Sequence, residues 1–182
     1  MAGLVMTGPL FIRRYRSEDW AACRALFEGN IPTFFTEAEL ATFEEYLERP
    51  EGPYLVIENA TGQPVACGGV AFRGAGEVSL CWGMVDVHRH REGIGRVLVQ
   101  VRLALASRLP GILRAYTKTA DGNVPFFERE GLRPVSVIEG YFRPSQLLMC
   151  ELDAARRSEF EARLAALLAQ GHRVEDGLLP ER

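Results

Sequence analysis

Apolar positions recur along the chain with two periods, and the switches between them mark its elements. Leu10 to Tyr15 reads as a short strand. Ser17, followed by Glu18 and Asp19, marks a helix start, and Trp20, Cys23, Leu26 and Phe27 share one face until Gly29 ends the helix. Thr36-Glu37-Ala38-Glu39 has capping-box spacing ahead of Leu40, Phe43 and Leu47, which predicts a second helix stopping before Pro50. The period then drops to two. Tyr54 to Glu58, Val65 to Phe72 and Val78 to Val87 read as strands, the first two joined by a turn at Asn59 to Gln63. An antiparallel meander is expected.

Helical spacing returns at Ile94, Leu98, Val101, Leu105 and Leu109, an amphipathic helix closed by Pro110-Gly111. Ile112 to Thr117 follows as a strand, Asn123 to Glu130 as a short helix, and Val135 to Ile138 with Leu147 to Leu152 as a terminal strand pair. Phe160, Leu164, Leu167 and Leu168 mark one more helix, and the tail beyond Gly171 reads as frayed. The order is mixed α/β. Residues 1–152 carry the main pattern, and residues 153–182 add an amphipathic helix and tail, packed on the same domain or on a second subunit.

At 182 residues, 47% hydrophobic and 25% charged, the chain has the usage of one folded domain. No run approaches the roughly 18 apolar residues that cross a bilayer, and Met1 to Leu10 lacks a basic leader, so a cytoplasmic protein with no membrane partner is expected. Cys23, Cys67, Cys81 and Cys150 are scattered through apolar runs, which suits reduced core thiols better than disulfides or zinc ligands. The net charge of −3 argues against a nucleic-acid partner. Its distribution is uneven. Residues 17–51 are strongly acidic, whereas Arg89, Arg91, Arg96 and Arg102 face only Glu92 between positions 88 and 102. An anion site is expected there.

The same stretch runs from an apolar strand through His88-Arg89-His90-Arg91-Glu92-Gly93-Ile94-Gly95-Arg96 into a helix. A helix start leaves about four backbone N–H groups unpaired at the positive end of the dipole, and glycines let a phosphate approach the backbone. Arg91 and Arg96 add charge. A third glycine for a dinucleotide loop is missing, and so is the Gly-Lys-Ser/Thr of an NTP loop.

His90-Arg91-Glu92-Gly93-Ile94-Gly95 resembles the [Arg/Gln]-x-x-Gly-x-[Gly/Ala] signature of the GNAT superfamily of acetyl-CoA-dependent N-acetyltransferases, and Phe126-Phe127-Glu128-Arg129-Glu130-Gly131-Leu132 is similar to its second landmark. The resemblance covers about residues 11 to 152. It implies an acyl-CoA N-acyltransferase fold: a mostly antiparallel central sheet flanked by helices, here with an extra C-terminal helix. It also implies transfer of an acetyl or short acyl group from acetyl-CoA to a small-molecule or peptide amine, with no metal, and allows a homodimer.

By the same resemblance, the backbone of Arg91, Glu92, Gly93, Ile94, Gly95 and Arg96 holds the pyrophosphate of acetyl-CoA. Val85, Asp86 and Val87 contact its pantetheine arm, and Asn123 either bonds that arm or caps its helix. Glu77 stands where some members keep a general base. Tyr141 lies in a loop bordering the acceptor pocket, as proton donor to the thiolate or as pocket lining, and Phe34 and Phe35 belong to the acceptor wall. Two positions depart from the pattern. His90 replaces the usual Arg or Gln, and Phe127 replaces a tyrosine that often serves as general acid.

Two other readings compete. Asp86, His88 and His90 fall at i, i+2 and i+4, which on an extended strand puts two imidazoles and a carboxylate on one face, the donor set of a metal-dependent hydrolase or metal-binding module. A non-catalytic CoA-binding module is the second alternative.

Overall fold

A computed structural model describes residues 8–139 and 144–181. The elements are β1 (Phe11–Arg14), α1 (Trp20–Gly29), α2 (Glu37–Glu48), β2 (Tyr54–Glu58), β3 (Pro64–Gly74), β4 (Glu77–Val85), α3 (Ile94–Arg108), β5 (Arg114–Thr119), α4 (Val124–Arg129), β6 (Arg133–Ile138), β7 (Ser145–Glu151), α5 (Ala154–Ala169) and β8 (Arg173–Val174). The strands form one sheet in the order β6-β7-β5-β4-β3-β2-β1-β8. Pairing is antiparallel except at β4–β5 and β1–β8.

Period-two alternation in the central strands feeds two separate cores. Leu55, Ile57, Ala66 and Val70 face α3 and α5, whereas Tyr54, Val56 and Cys67 face α1 and α2. The result is three layers. The capping box forms as the sequence expects: Thr36 Nα donates to Glu39 Oε2 at 2.9 Å, and Phe43 and Leu47 of α2 are buried. The expected meander of β2, β3 and β4 also forms.

Three sequence expectations change. The helix read as amphipathic, α3, is buried on every side from Val97 to Ser107, because α5 covers the face turned away from the sheet. Gln100 and Arg102 go inside with it. The tail is not frayed: β8 adds a parallel strand to β1, the Leu10 amide donates to His172 Nδ1 at 3.2 Å, and Leu178 is buried. Asp19, read as a first-turn acid, is buried against Arg13, whose guanidinium grips it at 2.6 and 2.7 Å and also reaches Glu58. Burial pushes the Asp19 carboxyl up, but the Arg13 and Arg16 bonds outweigh it and hold the group below the usual carboxylate range.

Candidate functional site

The site begins where β4 leaves β5. The two parallel strands pair from Glu77↔Arg114 to Leu80↔Thr117 and no further. The Thr117 hydroxyl donates to the Leu80 carbonyl at 3.2 Å, closing the last paired step. Beyond it, Cys81 to Val85 stays on β3 alone, and β5 stays on β7 alone. A cleft opens between the strands.

The freed run carries a β-bulge. Cys67 pairs with Met84 and Gly69 with Cys81, so one residue of β3, Gly68, opposes both Trp82 and Gly83. Trp82 takes φ +44°, a left-handed conformation that a bulky side chain rarely adopts and that costs about 1–3 kcal/mol. Side chains from both layers hold the carbonyls of this run. The Tyr54 hydroxyl donates to the Trp82 carbonyl at 3.0 Å, and Arg102 Nη1 donates to the Cys81 carbonyl at 3.4 Å. Buried Asn30 donates to the Val85 carbonyl at 2.8 Å, and His90 Nε2 lies 3.0 Å from the same oxygen.

After Val85 the chain makes a 3-10 turn, Val87–Arg89, instead of the extended strand expected to Val87. The Asp86 carboxylate caps it by accepting from the His88 amide at 3.0 Å. The Asp86 amide donates to Val65 O, and the Asp86 carbonyl accepts from the Arg89 amide. These bonds bear on two expectations. The Val85 carbonyl and the Asp86 backbone are engaged within the chain, as the Cys81 and Trp82 carbonyls are. The metal reading loses its geometry too: Asp86 is a cap, His90 folds back onto Val85, and no group of three or more His, Cys, Asp or Glu among the described residues could hold a metal ion.

Arg91 at φ +66° and Gly93 at φ +86° reverse the chain so that α3 starts directly behind β4. Gly93 is the N-cap and offers no side chain to the first-turn amides, whose intrahelical ladder begins with Val97 N–H donating to Gly93 O at 3.1 Å. Arg91, Gly93 and Arg96 are exposed around this open end. Its charge is smaller than the sequence count suggests. Arg89 pairs with Glu92 at 2.9 Å, Arg96 lies 3.5 Å from buried Glu130, and Arg102 is in the core. Gly95 faces Val85 and Phe126, where an added Cβ would find ordinary contacts at 3.7 and 3.8 Å.

On the other side of β4, Trp82 packs among Phe27, Phe35, Phe43 and Tyr46 at centroid distances of 5.3–6.3 Å. Phe35 stacks on Phe27 at 4.6 Å within this cluster, and Phe34 lies at its exposed rim, edge-on to His90 at 5.3 Å. The two expected acceptor-wall residues therefore differ, one packed and one open. Asn123 stands at the N-cap of α4 without a side-chain cap bond. Glu77 is at the far end of β4 from the cleft, 3.3 Å from Arg114 and 3.2 Å from the Tyr116 hydroxyl. Tyr141 lies outside the described residues. Cys81, half-buried, donates to the Tyr46 hydroxyl at 3.2 Å, and burial pushes its thiol up, away from a nucleophilic thiolate.

Trp82, Tyr54, Asn30 and Arg102 were not singled out for these contacts by the sequence. A glycine interrupting an apolar strand at Gly83 was the available signal for the bulge, and Asn30, just after a helix end, carried none.

A strand that turns through glycines into an uncapped helix start is what the signature turn was expected to build, and residues 20–132 match the model of the GNAT acetyltransferase family. The chain belongs to that family. Solved structures agree on the fold. The ribosomal-protein-S18-alanine N-acetyltransferase of Escherichia coli superposes with a TM-score of 0.67 at 14% identity, covering 79% of this chain and 94% of that one. A putative GNAT acetyltransferase from Desulfovibrio desulfuricans gives 0.67 at 21%, covering 79% and 99%, and Ard1 from Thermoplasma volcanium gives 0.66 at 18%, covering 79% and 98%. No curated protein sequence matches the chain. Among the described residues no helix is long and apolar enough to cross a membrane.

Proposed function

We propose that this GNAT acetyltransferase binds acetyl-CoA with its pyrophosphate on the open amides of α3 between Gly93 and Arg96 and its pantetheine arm in the β4–β5 cleft. The observation that carries this reading is the junction itself: the cleft ends where the Arg91–Gly93 reversal presents an uncapped helix start. An anion there meets backbone donors, the helix dipole and the exposed Arg91 guanidinium. The amine acceptor enters from the α1–α2 side, past Phe34 and Trp82. Its lone pair attacks the thioester carbon, the carbonyl electrons move onto oxygen, and their return expels the CoA thiolate. In balance, the proton lost by the amine ends on the CoA sulfur. By the resemblance Tyr141 borders the acceptor pocket, where it either donates that proton or lines the pocket.

Glu77 is left out of this scheme, because it is tied to Arg114 and Tyr116 away from the cleft. An aromatic wall favours acceptors with an apolar or flat body beside the amine. Among structural neighbours, one acts on the alanine of a ribosomal protein and others on spermidine, so both peptide and small-molecule amines belong in the screen. The test follows thiol release from acetyl-CoA across peptide N-termini, polyamines and arylalkylamines. Turnover with at least one class is expected. Tight acetyl-CoA binding without turnover on any class favours the non-catalytic binding module instead. Tyr141→Phe is expected to lower kcat with little change in KM.

A further inference from the structure

Arg102 was counted with the basic turn, yet it points the other way. It lies about two turns into α3, on the face against the sheet, and is only 3% exposed. Nε donates to the Leu98 carbonyl at 3.2 Å, and Nη1 donates to the carbonyls of Gly69 on β3 and Cys81 on β4, each at 3.4 Å. The titratable side chains around its charge are those of Cys81, Tyr54, Cys67 and Tyr46, and among the described residues it forms no ion pair. A guanidinium does not give up its proton in a protein, so a full positive charge is buried here without a counter-charge.

Two glycines make the space. A Cβ at Gly68 would stand 3.1 Å from Nη1, and one at Gly83 would stand 2.8 Å from Nη2. The guanidinium therefore lies flat beneath the bulge. Every fully buried side-chain nitrogen and oxygen among the described residues has a hydrogen-bond partner. Among the described residues Nη2 has no such partner, so it is the corner of the guanidinium left to a ligand or solvent. It opens beside Gly83, which is exposed and belongs to the run of β4 that has left β5.

The shape of this opening selects its ligand. Carboxylates are usually gripped by two guanidinium nitrogens at once. Here Nη1 is occupied and one nitrogen remains, which suits a single oxygen. We propose that Arg102 Nη2 donates to the acyl carbonyl oxygen of acetyl-CoA in the cleft and stabilises the oxyanion formed when the amine attacks. This inference rests on the donor site described above. The carbonyl is weakly polar before attack and carries a full negative charge in the tetrahedral intermediate, so a fixed charge in a water-poor site strengthens its hold as the reaction proceeds. When the carbonyl re-forms and the carbon–sulfur bond breaks, the interaction relaxes. The strained bulge gains a purpose in this arrangement, since it removes a β4 side chain at Gly83 where one would displace the guanidinium.

The test does not require the acceptor to be known. Acetyl-CoA with an isotopic label on the acetyl carbonyl is bound to the full-length protein, to Arg102→Met and to Arg102→Lys, and the carbonyl stretch is read by difference infrared spectroscopy. In the wild type the band is expected below that of free acetyl-CoA. In Arg102→Met it returns towards the free value, and in Arg102→Lys, where a charge remains but the fork is lost, it lies between the two. With an active amine, Arg102→Met lowers kcat by about 100-fold, the usual loss for one oxyanion donor, while KM for acetyl-CoA changes little. A merely structural arginine would not move the band. An Arg102→Met band coinciding with the wild type overturns the inference while leaving the donor site intact, and if that variant does not fold, an unshifted Arg102→Lys band does the same. If the wild type fails to bind acetyl-CoA, the donor reading falls and this inference with it.

Discussion

The signature keeps glycine at Gly93 and admits alanine at Gly95, and the two positions face different demands. Gly93 needs its positive φ, and a Cβ there costs about 1–2 kcal/mol. Gly95 has ordinary backbone and room for a methyl group between Val85 and Phe126. Gly93→Ala is therefore expected to lower the unfolding free energy by about 1 kcal/mol, with Gly95→Ala close to wild type in the same denaturant titration. Gly95→Phe fills the gap towards Phe126 and is expected to block acetyl-CoA in a calorimetric titration.

His172 gives a pH signature at the same scale. Burial pulls its imidazole below the ordinary value of about 6.5, and its Nδ1 accepts a backbone bond only when unprotonated. The unfolded chain then binds the proton more readily than the folded one. The contribution is complete above about pH 6.5 and is lost as pH falls towards the folded value. His172→Gln is expected to reduce the fall in urea midpoint between about pH 7.5 and about pH 5.5, and an unchanged fall would contradict this.

Elements with a strong internal pattern were legible. The capping box of α2, the β2–β3–β4 meander and the strand-to-helix turn all appear where their residues placed them. What escaped was decided by partners distant in sequence. Nothing in the spacing of α3 shows that α5 will cover its outer face, and so nothing showed that Arg102 would be inside. The last residues look polar and short, but β1 supplies an open edge that makes a strand of Arg173 and Val174. Of the candidate site, the strand-to-helix turn was readable because its pattern is local in sequence. The Cys81, Trp82 and Val85 carbonyls are held by residues up to 55 positions away, such as Asn30 at Val85, which no local pattern reports. The α3–α5 contact has its own test. Phe160 is 1% exposed at that junction, and Phe160→Ala is expected to cost about 3–5 kcal/mol by chemical denaturation.

Across the whole molecule, the sheet separates two chemistries. One layer, α3 with α4, presents the helix start and the arginines suited to an anionic donor. The other, α1 with α2, gathers the aromatic rings around Trp82. The bulge at Trp82–Gly83 belongs to both, and there the two substrates would meet. The acids of the first third are largely exposed on α1 and α2, and several pair with neighbours, as Glu28 and Glu44 do with Arg24, so they form the wet face of these helices before they form any acceptor field.

The donor site is the claim on which the rest depends, and thermal unfolding with and without acetyl-CoA tests it most directly. A ligand held at 100 times its dissociation constant stabilises the fold by about 2.7 kcal/mol, which for a domain of this size raises Tm by roughly 5–10 °C. That rise is expected with acetyl-CoA, absent with NAD, and lost in Gly95→Phe. An unchanged Tm at millimolar acetyl-CoA would contradict a phosphate site at the start of α3.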